Sequence, residues 1–172
     1  MNWNFVNYNC EERVGFITLN RPEKRNALNA LLISELKEAF KRAEKDANCK
    51  VIVLKATGDA FCAGADLAYL KDLQSQTYDE NLADSTHLME LFQKIYTLPK
   101  VVIAQVQGHA IAGGCGLASV CDLAIATSES KFGYSEVKIG FIPAIVSVFL
   151  IKQIGVTKSK ELLLTGKIVS AE

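Results

Sequence analysis

Two glycine-containing turns are the segments of this sequence whose residue types could do chemistry. FCAGADL (61–67) follows the apolar run KVIVLKAT (50–57), and GHAIAGGCG (108–116) follows the apolar run that starts at Lys100. Each turn should lead from a strand end into a helical segment, whose first backbone N–H groups have no partner within the helix. Two such turns facing each other could hold a carbonyl oxygen between one amide from each and stabilise negative charge on it.

Glycines after strands also serve simply as turn residues, so the pattern alone leaves both interpretations open. Neither turn has G-x-G-x-x-G spacing, and no G-x-x-x-x-G-K-[ST] segment occurs. A dinucleotide-binding or P-loop site therefore has no support in this chain.

The other reactive side chains favour structural roles. The five cysteines have neither C-x-x-C nor Cys/His ligand spacing, which argues against a disulfide framework and a zinc site, and no other metal site is predicted. We expect Cys62 and Cys115 to pack in the interior, and Asp122 to be a buried hydrogen-bond anchor. His109, beside the second turn, is expected to be structural, and His87 to face solvent on the polar side of a helix.

Composition and charge narrow the class of protein. The 172 residues suit one domain, and 49% hydrophobic with 22% charged residues is typical of a soluble globular protein. Lys plus Arg and Asp plus Glu balance at 19 each, which leaves no electrostatic footprint for nucleic acid. No apolar run approaches the roughly 18 residues of a membrane span. The first residues lack the pattern of a signal peptide, so we expect a cytoplasmic protein.

The hydrophobic pattern predicts how these turns are positioned. Strands are predicted over 14–20, 50–57, 100–108 and 121–128, the last three as near-continuous apolar runs covered on both faces. Amphipathic helices are predicted from Asn26 to Ala43 and from Tyr78 to Tyr96, the second ending before Pro99. This alternation favours the α/β class with right-handed crossovers, and by itself suggests one doubly wound sheet.

Four segments then match, in order and spacing, the signature blocks of one family: RPEKRNALNA (21–30), AFCAGADL (60–67), VQGHAIAGGCGLASVCDLAIAT (106–127) and FGYSEVKIGFIPA (132–144). The chain resembles the crotonase family of enoyl-CoA hydratases and isomerases over almost its whole length. The fold that this resemblance implies is a crotonase-type α/β fold. In it, repeated ββα units form two roughly perpendicular sheets, which a C-terminal helical region follows.

The resemblance implies an acyl-CoA site. It assigns the oxyanion hole for a thioester carbonyl to the backbone amides of Ala65 and Gly113. It assigns coenzyme A binding to Gly113 and to two neighbouring segments, with the residues Arg25, Ala27, Ala63, Gly64, Ala65, Asp66 and Leu67. No cofactor is implied, because coenzyme A arrives as part of the substrate.

Only one of the family's two catalytic carboxylates is present in this sequence. The second corresponds to Glu136, whereas the usual GGCEL reads GGCGL here, so that Gly116 stands where the first glutamate would be. One carboxylate could serve hydration or dehydration of an enoyl thioester, or the proton shuttle of a Δ3,Δ2-enoyl-CoA isomerase. IPAIVSVFLIKQIG (142–155) looks like the corresponding segment of the bacterial methylglutaconyl-CoA hydratases. This likeness favours hydration and implies 3-methylglutaconyl-CoA as the substrate.

The same resemblance raises expectations about size and assembly. Family members usually continue beyond the point that corresponds to Glu172, so residues 1–172 are expected to be a single crotonase-type domain that lacks most of the C-terminal helical trimerisation region. A homotrimer or hexamer is expected for the full-length form. A noncatalytic acyl-CoA-binding remnant is the remaining alternative for this chain.

Overall fold

The computed structural model describes residues 3–172, which form a mixed α/β fold. Its strands are β1 (Val6–Glu11), β2 (Val14–Leu19), β3 (Val51–Ala56), β4 (Ala60–Cys62), β5 (Val101–Val106), β6 (His109–Ile111), β7 (Leu123–Ala126), β8 (Lys131–Gly133) and β9 (Ile168–Ser170). Its α-helices are α1 (Ala30–Lys45), α2 (Leu67–Leu73), α3 (Tyr78–Tyr96), α4 (Gly113–Val120) and α5 (Ala144–Thr165). Short 3-10 turns occupy Pro22–Lys24 and Glu136–Ile139.

The strands belong to two sheets. The first has the order β1-β2-β3-β5-β7 and is parallel except for the β1–β2 pair, and the second has the order β4-β6-β8-β9. The single doubly wound sheet suggested by the pattern alone is therefore wrong, and the two sheets implied by the resemblance are present. Strands of three residues, which make up the whole second sheet, are too short to show a hydrophobic period.

All predicted strands and helices are present, but β1 and most of α5 were not predicted, and the start of one helix is shifted by four residues. The four predicted strands correspond to β2, β3, β5 and β7, and the second predicted helix has the bounds of α3. The first helix begins at Ala30 rather than Asn26. Asn26 has φ of +54° and is fully buried, and its side-chain amide donates to the carbonyls of Thr57 and Ala60, both at 2.9 Å. The side chain of Asn29 then caps the helix by accepting from Leu32 N–H.

Burial of the apolar strands differs from the prediction that both faces are covered. In β3 the fully buried Ile52 and Leu54 alternate with half-buried neighbours, and they pack with α1 residues such as Phe40 in the core. Leu123 and Ile125 in β7 are 58% and 65% exposed. Their strand forms the edge of its sheet, so its apolar run does not reflect burial in this chain.

The second sheet positions the predicted site. β4, β6 and β8 are parallel neighbours, with Ala60 opposite His109 and Ile111 opposite Gly133. Parallel strands present their carboxyl ends at one edge of the sheet. The turn before α2, the start of α4 and the 3-10 turn at Glu136 leave this sheet from that common edge. Among residues 3–172, no helix has both the length and the apolar character needed to cross a bilayer.

Candidate active site

The turn between β4 and α2 pairs with the loop before α1 and leaves one amide free. Leu28 N–H donates to the Gly64 carbonyl at 2.7 Å, and Asp66 N–H donates to the Leu28 carbonyl at 2.9 Å. These bonds form a parallel bridge between Leu28 and Ala65, in which the Ala65 N–H faces away from the loop. Within the described part of the chain, the Ala65 N–H has no acceptor.

The turn at Gly64 touches the start of α4. A Cβ atom on Gly64 would lie 2.8 Å from Ala112 Cβ, 3.0 Å from the Ile111 carbonyl oxygen and 3.5 Å from Gly113 N. Gly64 also has φ of +91°, which a side chain would strain. Gly113 is the first residue of α4, and its N–H likewise has no acceptor among the described residues. The amides of Ala65 and Gly113 are therefore neighbouring unpaired donors, which is the arrangement that an oxyanion hole requires.

Backbone strain accompanies this contact. Ala112, which precedes α4, has φ of +54° and ψ of −125°, a conformation that L residues rarely adopt. Its N–H donates to the Gly133 carbonyl at 2.7 Å, so the neighbouring strand β8 holds it in place. Strain of this kind commonly occurs where a backbone group is oriented for function.

Glu136 begins the 3-10 turn that follows β8, and its side chain is half-buried. Its Oε2 atom is buried and has no hydrogen-bond partner in residues 3–172. Burial raises the pKa of this carboxyl, against a smaller lowering by its own backbone N–H. A half-buried carboxyl whose pKa is raised by burial is suited to general acid–base catalysis.

Two buried polar side chains lie beside Glu136. Burial raises the pKa of the Cys115 thiol to about 11 and raises that of the Tyr134 phenol, and the Glu136 charge contributes to both shifts. Burial also raises the pKa of Cys62 to about 12. These thiols are protonated at neutral pH, which agrees with packing roles rather than nucleophilic ones.

The position of the missing glutamate is filled by other elements. A Cβ atom on Gly116 would lie 2.4 Å from Val146 Cγ1 and 2.8 Å from Phe92 Cε1. Gly116 is buried, so α3 and α5 close the space that a side chain would need. Position 116 offers no acid or base, and the acid–base candidate that remains from the sequence is Glu136.

The residues predicted to bind coenzyme A lie in the loop before α1, in the turn between β4 and α2, and at the first residues of α2 and α4. Arg25 is exposed, in a left-handed conformation, and its carbonyl accepts from Ala63 N–H at 3.0 Å. Leu67 opens α2 and is 74% exposed, whereas Ala27 is 7% exposed. The structure therefore brings these predicted residues together, although most of the surface that Ala27 offers is covered.

The Asp66 side chain is already engaged by the protein. One oxygen accepts from Ala68 N–H at 3.0 Å and caps α2, and the other pairs with Arg21 at 2.8 Å. The Arg21 hydrogen bond holds the pKa of this carboxyl below its usual value. Arg21 was not a candidate from the sequence, because an arginine before a proline in a loop carries no pattern that distinguishes it from a solvated one.

The remaining candidates have structural contacts. The Asp122 carboxylate accepts from Val102 N–H at 2.7 Å, so it is an anchor as predicted, but the residue is exposed rather than buried. His109 is exposed in β6. The prediction that His87 faces solvent is wrong: the ring is half-buried and lies 3.0 Å from both Ser34 Oγ and Lys37 Nζ. In the part of the chain that the structure describes, no cluster of His, Cys, Asp or Glu could hold a metal ion.

The fold has two sheets, and two unpaired amide donors lie with a half-buried carboxyl at one edge of the second sheet. An enzyme that stabilises an oxyanion needs donors and an acid–base of this kind. The comparison with known proteins makes the assignment specific. The family model described as enoyl-CoA hydratase/isomerase matches residues 9–172. The chain belongs to this family, and so to the crotonase superfamily.

Individual relatives agree with this assignment. A Thermus thermophilus protein provisionally named enoyl-CoA hydratase is 45% identical over 158 residues, which cover 92% of this chain and 62% of the relative. A Legionella pneumophila crystal structure, provisionally described as an enoyl-CoA hydratase/isomerase (crotonase), has a TM-score of 0.96 and 40% identity, over 99% of this chain and 66% of that one. An enoyl-CoA hydratase from Shewanella pealeana has a TM-score of 0.95 and 32% identity, over 98% and 64%.

These comparisons confirm the prediction of a crotonase-type α/β fold. They also define the extent of the match, because the chain spans about three-fifths of the length of the curated relatives it matches, at 62% and 60% for the two first compared. Family membership is what these matches show, and the activity, substrate and partners of the whole protein are matters for proposal.

Proposed function

We propose that this protein hydrates an enoyl-CoA thioester, or dehydrates the corresponding 3-hydroxyacyl-CoA, with Glu136 as its acid–base. The thioester oxygen accepts from the N–H groups of Ala65 and Gly113. Glu136 takes a proton from water as the water oxygen adds to C3, and charge moves onto the thioester oxygen as an enolate. Glu136 then returns the proton to C2, so atoms and charge balance without a cofactor beyond the CoA carried by the substrate.

The observation that carries this proposal is the contact between the two turns that present the unpaired amides of Ala65 and Gly113. One oxyanion donor typically contributes about 3 to 4 kcal/mol of transition-state stabilisation. A positioned carboxylate contributes about a hundred- to ten-thousand-fold in rate. Together these terms support substantial catalysis without a side chain at position 116.

Mass spectrometry tests the reaction. Purified protein is incubated with crotonyl-CoA and with 3-methylglutaconyl-CoA, and the gain of one water is measured. Glu136→Ala should lower the rate at least a hundredfold, whereas Glu129→Gln, at an exposed glutamate, should leave it unchanged. Absence of water gain or loss with both substrates contradicts hydration. Binding of the CoA esters without any turnover, unchanged in Glu136→Ala, instead favours a noncatalytic acyl-CoA binder.

The substrate we propose is 3-methylglutaconyl-CoA. Its support is the likeness of residues 142–155 to the methylglutaconyl-CoA hydratases, together with a glycine at position 116. The ratio of kcat/KM for 3-methylglutaconyl-CoA to that for crotonyl-CoA tests this choice. A ratio above ten is expected, and a ratio below one rejects the substrate.

An isomerase is the second candidate, and the packing at Gly116 favours it. Because Phe92 and Val146 close that position, one carboxyl must handle every proton, as a shuttle between C2 and C4 requires. Glu136 would remove a proton from C2 of a 3-enoyl thioester and return it at C4. A double-bond shift in trans-3-hexenoyl-CoA without water uptake would identify this activity.

The location and assembly of the full-length protein also remain proposals. We propose a cytoplasmic protein that assembles as a homotrimer or hexamer, supported by the family resemblance. Sedimentation of the full-length protein should give the mass of three or six copies, and a monomer at micromolar concentration would contradict the proposed assembly.

A further inference from the structure

Arg21 joins the two segments that flank the Ala65 amide. Its Nη2 pairs with the Asp66 carboxylate at 2.8 Å, and its Nη1 donates to the Ala27 carbonyl at 3.0 Å. The guanidinium also lies 5.1 Å from the centre of the Phe5 ring. The side chains of Arg21 and Asp66 are only 10% and 12% exposed, so solvent screens this pair weakly.

The position of these contacts relates them to the oxyanion site. Asp66 follows Ala65 directly, and Ala27 precedes Leu28, the residue that bridges to Ala65. The fork of Arg21 therefore spans the two strands of this bridge at one end. The Ala63 N–H bond to the Arg25 carbonyl, at 3.0 Å, links the same two segments at the other end. The orientation of the free Ala65 N–H depends on this bridge holding its geometry.

We infer that Arg21 is a positioning residue for the oxyanion hole, acting through Asp66 and Ala27 on the direction of the Ala65 N–H. This inference rests on the proposed function of that amide. An oxyanion donor is effective only at hydrogen-bond distance from the developing charge, so small shifts of the turn reduce its effect. Loss of Arg21 should therefore weaken polarisation of the thioester more than it weakens binding of the CoA moiety.

Arginine is suited to this position for a geometric reason. Its planar guanidinium presents donors in a fixed fork that reaches a carboxylate and a carbonyl at once, whereas a lysine ammonium is a compact point charge. Arg21→Lys keeps the charge but should hold Asp66 or Ala27, not both. The lysine variant should therefore recover part of the function that Arg21→Met loses.

The experiment uses the full chain and a conjugated thioester, 2,4-hexadienoyl-CoA, whose absorbance shifts to longer wavelength when its carbonyl is polarised. The shift, the Kd for this ligand and the kcat for crotonyl-CoA hydration are measured for the wild type, Arg21→Met, Arg21→Lys and Asp66→Asn. Lys94→Met is the matched control, because Lys94 pairs with Glu44 at 2.9 Å in a partly buried ion pair away from the two turns.

Arg21→Met should lose at least half of the spectral shift and at least tenfold in kcat, with Kd changed less than threefold. Arg21→Lys should fall between it and the wild type, and Lys94→Met should match the wild type. If Arg21→Met does not fold, Asp66→Asn decides, because asparagine still caps α2. That variant should lose part of the shift.

Two outcomes overturn the inference in different ways. In the first outcome, Arg21→Met shows a full spectral shift and a kcat within twofold of the wild type; Asp66→Asn is used instead where Arg21→Met does not fold. This outcome rejects the role of Arg21 and leaves the oxyanion hole standing. A wild-type complex that shows no shift rejects the oxyanion hole itself, and the proposed function fails together with this inference.

Discussion

At the scale of single residues, the groups to which the proposed chemistry assigns a role are also groups that lower the stability of the fold. The amides of Ala65 and Gly113 lack acceptors among the described residues, and Glu136 holds a buried, unpartnered oxygen. Buried polar groups without partners cost stability, typically by about 1 to 3 kcal/mol each. These groups are the ones to which the proposed chemistry assigns a substrate atom or a proton.

The first prediction concerns Glu136 and pH. Its pKa is raised, so the folded state holds the proton more tightly than the unfolded state. Ionisation therefore costs the folded state stability as pH rises through and above the ordinary value of 4.5. Glu136→Gln should be more stable than the wild type at pH 7 and no more stable at pH 3. Urea unfolding at both values measures this, and an equal difference at both would contradict it.

The second prediction concerns Gly64. Gly64→Ala should abolish polarisation of bound thioester, because the new Cβ would meet Ala112 and the Ile111 carbonyl within 3.0 Å. Gly155→Ala is the matched control: Gly155 has φ of +78° but no atom within 4 Å of the new Cβ. The control should lose about 1 to 3 kcal/mol of stability from backbone strain, because Gly155 with ψ of 167° lies in a region that side chains rarely adopt, but it should keep thioester polarisation. Ligand absorbance and thermal unfolding compare them, and equal activity losses would disprove the steric explanation.

At the scale of elements, helix α4 is held closely at several points. A Cβ on Gly114 would lie 2.1 Å from the Cys62 carbonyl oxygen, so α4 begins in contact with the end of β4. Two residues later, Gly116 contacts Val146 of α5 and Phe92 of α3. Glycine lowers helix propensity by about 1 kcal/mol relative to alanine, and here it permits the close approach of the neighbouring elements.

The third prediction tests that packing. Gly116→Ala gains about 1 kcal/mol of helix propensity but overpacks the interface by about 1 to 3 kcal/mol. Both neighbours lie within 3.0 Å of the new Cβ, so overpacking should prevail and the variant should be destabilised. Val146→Ala in the same chain should relieve part of this cost, giving a coupling energy of about 1 kcal/mol in a double-mutant cycle. Additive effects would contradict the contact.

At the scale of the whole molecule, the charges balance while individual carboxyls shift in opposite directions. The pKa of Asp66 is lowered, chiefly by Arg21, whereas burial raises the pKa values of Glu136 and Asp84. A lowered carboxyl pKa contributes stability above its unfolded value, and that stability is lost as pH falls through the folded pKa. A carboxyl whose pKa is raised in the folded state lowers stability as pH rises above its unfolded pKa.

The fourth prediction follows from these signs. Thermal stability should rise as pH increases to the ordinary aspartate value of 3.8, because folded Asp66 ionises below it, and should decline slightly at higher pH as Glu136 and Asp84 ionise. Asp66→Asn should flatten the acidic limb of this profile without changing the decline. Calorimetry across the pH range measures both limbs, and an acidic limb unchanged in Asp66→Asn would show that the Arg21 pair contributes little.

The accuracy of the sequence-based predictions depended only partly on element length, because the six-residue β1 and most of the 22-residue α5 were not predicted. Strands such as β3 and helices such as α3 show a period over enough residues to be recognised, and their bounds agree with the structure within a few residues. The three-residue strands of the second sheet show none, although they carry every turn of the candidate site. Glu136, Ala65 and Gly113 were found through resemblance to family blocks, not through a pattern that composition or spacing provides.

The two glycine turns alone suggested an anion or oxyanion site, and the family blocks around them assigned the amides of Ala65 and Gly113. That information is local, since a glycine after a strand and a helix start can be read from adjacent residues. Only the tertiary structure decided that the turns meet, that Arg21 spans the bridge beside Ala65, and that Phe92 and Val146 fill the space at Gly116. These contacts join residues far apart in the chain, and their geometry depends on packing, which no local spacing encodes.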